Sequence, residues 1–304
     1  MDRADRNVSS HRTSHIPWHR GWIPVILLPA LTVVAFPAAW PRWAFMWTLS
    51  FAIYSGCKWL TWRRTPTTAL PVSMHVGYLL AWPGLDAVAF LQPPRENIAT
   101  PTVGEWMFAA LKLLFGVGLV WGLARLIPID FPYLVGWIGL VGIVMLLHFG
   151  MFHLLSCHWR SRGVNAPPLM DWPIVSVSVS EFWSRRWNRA FRDLTHRFLF
   201  RPLTAKVGPR WGLAFGFLFS GLVHDAVISF PANGGFGGPT FFFLLQAAAM
   251  FIERSRMGRR IGLGRGLRGH LFAAVVLIVP VGLLFHRPFV VRIIIPFLMA
   301  LKAI

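Results

Sequence analysis

The sequence predicts an all-α, polytopic membrane helical bundle, and three observations carry that prediction. The chain has 304 residues, of which 55% are apolar and only 13% charged, a composition suited to lipid as the surrounding solvent. It divides into several apolar runs long enough to cross a hydrocarbon core of about 30 Å. Its cations, which give a formal net charge of +19, are confined to a few connections between those runs. Aromatic residues recur at the run ends, where amphipathic rings settle at headgroup level.

Residues 1–20 form a basic tail carrying Arg3, Arg6, Arg12 and Arg20, and residues 21–304 read as a single integral membrane domain. The first run, Trp22 to Trp40, is broken by Pro24, Pro29 and Pro37 and lacks a small-x-small cleavage site, so it reads as an uncleaved span. Trp43 to Trp62 is the second span and ends at Arg63 and Arg64. Leu70 to Leu91 is also apolar, but Trp82-Pro83-Gly84 and Asp86 fall in its middle. Proline and glycine interrupt a helix there and a carboxylate at depth is costly, so a re-entrant or interfacial element is expected. The remaining runs are Trp106 to Ile127, Tyr133 to Leu155, Trp211 to Phe230, Thr240 to Ile252, Leu271 to Phe285 and Phe289 to Leu301. Together these give about eight spans in a multi-pass protein, the cytoplasmic membrane being its expected site in a bacterium.

Charge sets the expected orientation. From Cys157 to Arg210 there are ten Arg or Lys against three acids, and from Arg254 to Arg268 six Arg and no acid. Both connections, like the basic tail and the Arg63-Arg64 pair, are expected on the cytoplasmic side, and so is the carboxyl end. No aromatic nucleic-acid motif interleaves with these cations, so orientation and contact with anionic membrane lipids explain them better than a nucleic-acid partner.

Two segments carry polar groups that a membrane does not tolerate idly. Trp183, Trp187, Ala190, Phe191, Leu194 and Phe198 recur at helical spacing, which predicts an amphipathic interfacial helix with Arg185, Arg186, Arg189 and Arg192 on its other faces. Asn188 falls on the flank of that apolar stripe. On the Trp211 to Phe230 span, Gly212, Gly216, Ser220 and His224 recur every four residues. That stripe predicts either close helix packing or the wall of a narrow apolar channel ending at the imidazole. Asp225, one residue on, cannot share the imidazole's face of a regular helix.

Other constellations point elsewhere. The letters Gly264-Arg265-Gly266-Leu267-Arg268-Gly269 match a dinucleotide fingerprint, yet no strand precedes them and the loop is basic. Cys57 and Cys157 form no framework. His148, His153 and His158, five residues apart, are splayed by about 140° on a helix, so no shared metal is expected.

The runs His148-Phe149-Gly150-Met151-Phe152-His153-Leu154-Leu155-Ser156, Trp159 to Met170, Glu181-Phe182-Trp183-Ser184-Arg185-Arg186-Trp187-Asn188, His196-Arg197-Phe198, Arg201-Pro202-Leu203 and Ser220-Gly221-Leu222-Val223-His224 resemble the wax synthase branch of the membrane-bound O-acyltransferase family. The similarity reaches back to Tyr78 to Asp86. Ser184 stands where that box commonly has glycine. The resemblance implies acyl transfer from a thioester, usually acyl-coenzyme A as co-substrate with no bound cofactor, to a hydroxyl. It implies His224 as general base on the acceptor and Asn188 as the amide that positions the thioester. Trp183, Arg185, Arg186, Trp187 and Ser220 are then the expected substrate contacts. A long-chain alcohol giving a wax ester is the expected acceptor; sterols, glycerides and saccharides are also acylated in the family. A polytopic transporter or a lipid-binding protein is the alternative outside it.

Overall fold

The computed structural model describes residues 21–66, 70–92 and 98–304, and the basic tail of residues 1–20 lies outside them. All regular structure among the described residues is helical. Helices α1 (Ile23–Ala35) and α2 (Arg42–Arg63) pack as a hairpin. Gly56 permits their close approach, since a methyl there would sit 2.6 Å from the Val25 Cα.

The interruption expected within Leu70 to Leu91 is present. Helix α3 (Val72–Ala81) stops at Trp82, residues 82–86 are non-helical, and α4 (Ala87–Leu91) starts at Asp86. The carboxylate that looked anomalous at depth is a helix cap: its Oδ1 accepts the Val88 and Ala89 N–H groups, both at 3.1 Å. Gln92 then donates to the Pro66 carbonyl at 3.3 Å, so the segment leaves and returns at the same end of α2. Unpaired carbonyls in a hydrocarbon interior cost several kcal/mol each, and the break frees three of them. Trp159 Nε1 donates to Ala81 O at 3.0 Å, the Tyr54 hydroxyl to Trp82 O at 3.2 Å, and the buried Lys58 Nζ to both Trp82 O and Gly84 O. The same Nζ lies 3.5 Å from the centre of the Tyr78 ring.

Among the described residues, four helices are long and apolar enough to cross a membrane: α5 (Val103–Leu126), α6 (Pro132–Arg160), α7 (Arg189–Ala232) and, after α8 (Gly238–Arg254), α9 (Gly266–Leu284). Helix α7 is kinked at Gly208, whose φ of 81° is open to glycine and which precedes Pro209, a residue that excludes helical geometry before it. Widened π-helical turns interrupt α6 at Met145–Met151 and α7 at Asp225–Ser229, and another forms at Phe182–Arg186, between those two helices.

The carboxyl end departs from expectation. Residues 287–300 are helical, but Arg292 donates to the carbonyls of Ala232 and Asn233 at the close of α7. The last residues are held at the close of α5, by Trp121 Nε1 on Leu301 O at 3.2 Å and by Arg125 on Lys302 O and Ala303 O. Both α5 and α7 begin at the Arg160 end of the bundle, where Glu105 pairs with Arg160. The closing segment therefore starts and finishes at the opposite end. The Phe289 to Leu301 run is not a crossing, and the carboxyl end does not return to the Arg160 end as its hydropathy suggested.

The main core joins Met46, Val120, Leu140, Ile228, Phe242, Phe243, Ile293 and Leu298 from six elements. A second core, around Tyr78, Trp82, Phe90 and Trp159, supports the broken segment and Ala190 of α7.

Candidate active site

The box from Glu181 to Asn188 is a folded turn rather than one continuous surface helix. Ser178 Oγ accepts the Glu181 N–H at 2.8 Å while Glu181 Oε2 accepts the Val177 N–H at 2.9 Å, a reciprocal cap. Burial alone would raise the Glu181 carboxyl, but the Val177 N–H and the Arg186 guanidinium outweigh it and hold the group below the ordinary glutamate value. One widened turn follows, closed by Trp187 N–H on Phe182 O at 2.9 Å, and the Phe182 and Trp187 rings stack at 5.4 Å. Arg186 is bound inside this turn, to Glu181 and to the Asp171 carbonyl at 3.2 Å, whereas Arg185 and Ser184 are exposed.

Asn188 ends the turn in the left-handed region, at φ 42° and ψ 62°, and its Oδ1 caps the next helical stretch by accepting the Phe191 N–H at 3.5 Å. Its own N–H contacts Met170 Sδ at 3.2 Å. The uninterrupted amphipathic helix expected over residues 183–198 is thus corrected. Asparagine tolerates left-handed geometry and caps helices well, and here it does both. The side-chain Nδ2 has no hydrogen-bond partner among the described residues. Ser184, in place of the commoner glycine, takes ordinary helical geometry within the widened turn.

His224 lies partly buried near the end of α7, with Nδ1 at 2.7 Å from the Ser220 carbonyl oxygen. A carbonyl only accepts, so Nδ1 carries the proton and Nε2 presents a lone pair. Nε2 has no hydrogen-bond partner among the described residues. Ser220 therefore contributes its carbonyl, not its hydroxyl. The imidazole rests on Phe243 of α8, ring centres 4.5 Å apart. Of the small-residue stripe, Gly212 packs against Thr204, while a methyl at Gly216 would meet nothing within 4 Å. The close approach of α7 to α8 uses Gly221 instead, beside Thr240.

Asp225 turns away from His224, as its position one residue on requires. Its carboxylate accepts the Ser229 hydroxyl at 2.8 Å, the Gly237 N–H at 2.9 Å, and both the N–H and hydroxyl of Thr240. It caps the start of α8 and fixes the α7–α8 turn. Ser229 also meets His286 Nε2 at 3.1 Å, but His286 Nδ1 accepts the Phe289 N–H. Nε2 is then the donor to Ser229, and this trio is a structural clasp with no activated hydroxyl.

Trp183 and His224 converge on one side chain, since the Trp183 ring centre is 5.4 Å from that of Phe243 and 5.8 Å from that of Phe217. Asn188 and His224 are not joined by a hydrogen bond. The sequence reading missed Gln246, the lone amide of α8, which is fully buried and bonded to Trp183 Nε1 at 3.4 Å. Its signal was available: an amide among eleven apolar neighbours from Phe241 to Ile252.

A second polar cluster joins Glu105, His153 and Cys157, whose ligand atoms lie within 4.8 Å of one another. Lys112 Nζ sits 2.6 Å from His153 Nδ1 and Arg160 pairs with Glu105. His153 and Glu105 are thus already engaged by Lys112 and Arg160 and by each other, and these contacts tie α5 to α6. Both cysteines are free and buried.

Comparison with known proteins falls on the same stretch. Residues 166–245, which contain both Asn188 and His224, match the sequence model of the membrane bound O-acyl transferase family. A probable long-chain-alcohol O-fatty-acyltransferase 1 of Arabidopsis thaliana is 31% identical over 103 residues, 30% of this chain and 29% of that protein. A long-chain-alcohol O-fatty-acyltransferase of Simmondsia chinensis is 26% identical over 128 residues, 38% of this chain and 36% of that protein. The similarity thus spans about a third of the length of these relatives. By its apolar helices the chain is an integral membrane protein, and its residues 166–245, which hold both the box asparagine and the span histidine, are similar to the membrane bound O-acyl transferase family.

Proposed function

We propose that the protein transfers a fatty acyl group from an acyl thioester, acyl-coenzyme A, to the hydroxyl of a long-chain alcohol, giving a wax ester. The observation that carries this reading is the state of His224. Its Nδ1–H is locked on the Ser220 carbonyl and its Nε2 lone pair is unpartnered, beside an aromatic wall formed by Phe243, Phe217 and Trp183. That is the tautomer a general base needs.

In the proposed step Nε2 takes the proton of the acceptor hydroxyl as its oxygen attacks the thioester carbonyl carbon. The C–O bond forms, the C–S bond breaks as the tetrahedral intermediate collapses, and the imidazolium returns the proton to the leaving thiolate. Asn188 supplies a fixed Nδ2–H donor for the thioester oxygen, because its Oδ1 is already held by the Phe191 N–H. Exposed Arg185, with Arg189, faces the donor's phosphates, and Arg186 instead braces the turn. Gly216 leaves room along α7 for an acyl or alkyl chain.

The test is incubation of detergent-purified protein with labelled acyl-coenzyme A and a panel of long-chain alcohols, sterols, glycerides and saccharides. An ester of the alcohol is expected. Ester on another acceptor would move the substrate assignment, and no ester from any acceptor would remove the enzyme reading.

A further inference from the structure

We propose that Gln246 is a positioning residue, which holds Trp183 and, through Phe243, sets His224 for proton transfer; this rests on the acyl-transfer reading above. Gln246 is 0% exposed in the interior of α8, where a buried amide must have both ends satisfied. Its two partners lie on different parts of the molecule. Nε2 donates to the Val276 carbonyl of α9 at 3.0 Å, and Oε1 accepts from Trp183 Nε1 at 3.4 Å.

The α9 contact has an identifiable cause. Four residues beyond Val276 stands Pro280, which has no N–H to return to that carbonyl. The Gln246 amide fills the vacancy, and doing so fixes the rotamer that points Oε1 at the box. Phe243 lies three residues earlier on α8, on the same face. It touches His224 at 4.5 Å and Trp183 at 5.4 Å between ring centres. One amide thus anchors the indole of the box, and the indole and imidazole share a single ring between them. The comparison match ends at residue 245, so this residue lies just outside the matched segment.

A purely structural role, capping the carbonyl left by Pro280, can be separated from positioning. Gln246→Met keeps the volume and removes both hydrogen bonds. Pro280→Ala supplies a backbone N–H for Val276 O and leaves Trp183 untouched. Each single variant, the double variant and the parent protein would be measured three ways: melting temperature, kcat and KM for ester formation, and the rate at which diethylpyrocarbonate modifies His224, read by mass spectrometry of its peptide.

Gln246→Met is expected to lower melting temperature, to reduce kcat by about tenfold with a smaller change in KM, and to speed His224 modification at least threefold. Adding Pro280→Ala should restore the melting temperature but neither kcat nor the modification rate. Recovery of all three in the double variant would overturn the positioning role, as would unaltered kcat and unaltered modification in Gln246→Met. If the parent protein forms no ester, the acyl-transfer reading falls by itself. The modification arm then decides the Gln246 claim alone, an unchanged rate overturning it and a faster one supporting it.

Discussion

Replacing Asn188 by alanine and by glycine separates two jobs that the residue performs at once. Asn188 caps the helical stretch starting at Arg189 and sits at φ 42°. Losing an asparagine cap to alanine costs about 1 kcal/mol, and placing a β-carbon in left-handed geometry without a compensating polar side chain costs roughly 1 kcal/mol more. Asn188→Ala should therefore be less stable by about 2 kcal/mol, which is on the order of a 30-fold shift toward the unfolded state. Glycine takes the left-handed conformation freely and loses only a few tenths of a kcal/mol as a cap, so Asn188→Gly should melt close to the parent protein. Both variants lack the amide donor, however, and both should lose turnover by about tenfold or more. Initial rates of ester formation, set beside thermal unfolding in the same detergent, give the answer. Full turnover in a stable Asn188→Gly would refute the amide's role in the reaction and leave the residue as a turn former.

Three further outcomes are expected. His224→Ala should remain folded with ester formation reduced by about 10²-fold or more, the usual cost of losing a general base; unchanged initial rates would remove that assignment. Glu181, whose folded carboxyl is held below its unfolded value, contributes stability that is present above about pH 5 and lost as pH falls through the lowered folded value. Thermal unfolding followed from pH 6 to pH 3 should therefore decline more steeply for the parent than for Glu181→Gln, and equal slopes would refute the linkage. Single cysteines introduced at Arg160, Arg189 and Arg260 should be labelled from the cytoplasmic side, and those at Asn233 and Lys302 from the opposite side; Lys302 labelled together with Arg160 would overturn the placement of the carboxyl end.

Much of the architecture was legible in the sequence because lipid leaves a chain few options. Trp82-Pro83-Gly84 with Asp86 disclosed a broken segment, since neither proline nor a carboxylate fits a lipid-facing helix interior. The closing segment was misread because hydropathy reports that Phe289 to Leu301 is apolar and not which way it runs. What turns it back are Trp121 and Arg125, some 180 positions earlier in the chain. Asn188 was placed on a helix flank because the stripe from Trp183 to Phe198 keeps its period across the turn. A helical period cannot register one left-handed residue that resets the direction of the axis. His224 was legible as the lone imidazole of its span, whereas its tautomer depends on a local carbonyl contact that spacing only permits.

The caps on the broken segment have a consequence for how the protein is made. Residues 82–86 cannot be left bare in hydrocarbon, yet their carbonyls are met by Tyr54 and Lys58 from α2 and, for Ala81, by Trp159 at the far end of α6. During synthesis α2 is available before the segment emerges, but Trp159 appears only some 75 residues later. Until then the segment lacks one of its partners and is best kept at the watery interface, where water satisfies the freed groups. Its descent into the bundle is therefore expected to wait for the arrival of α6. A chain truncated before Trp159 should leave residues 72–91 open to protease, and the complete chain should protect them.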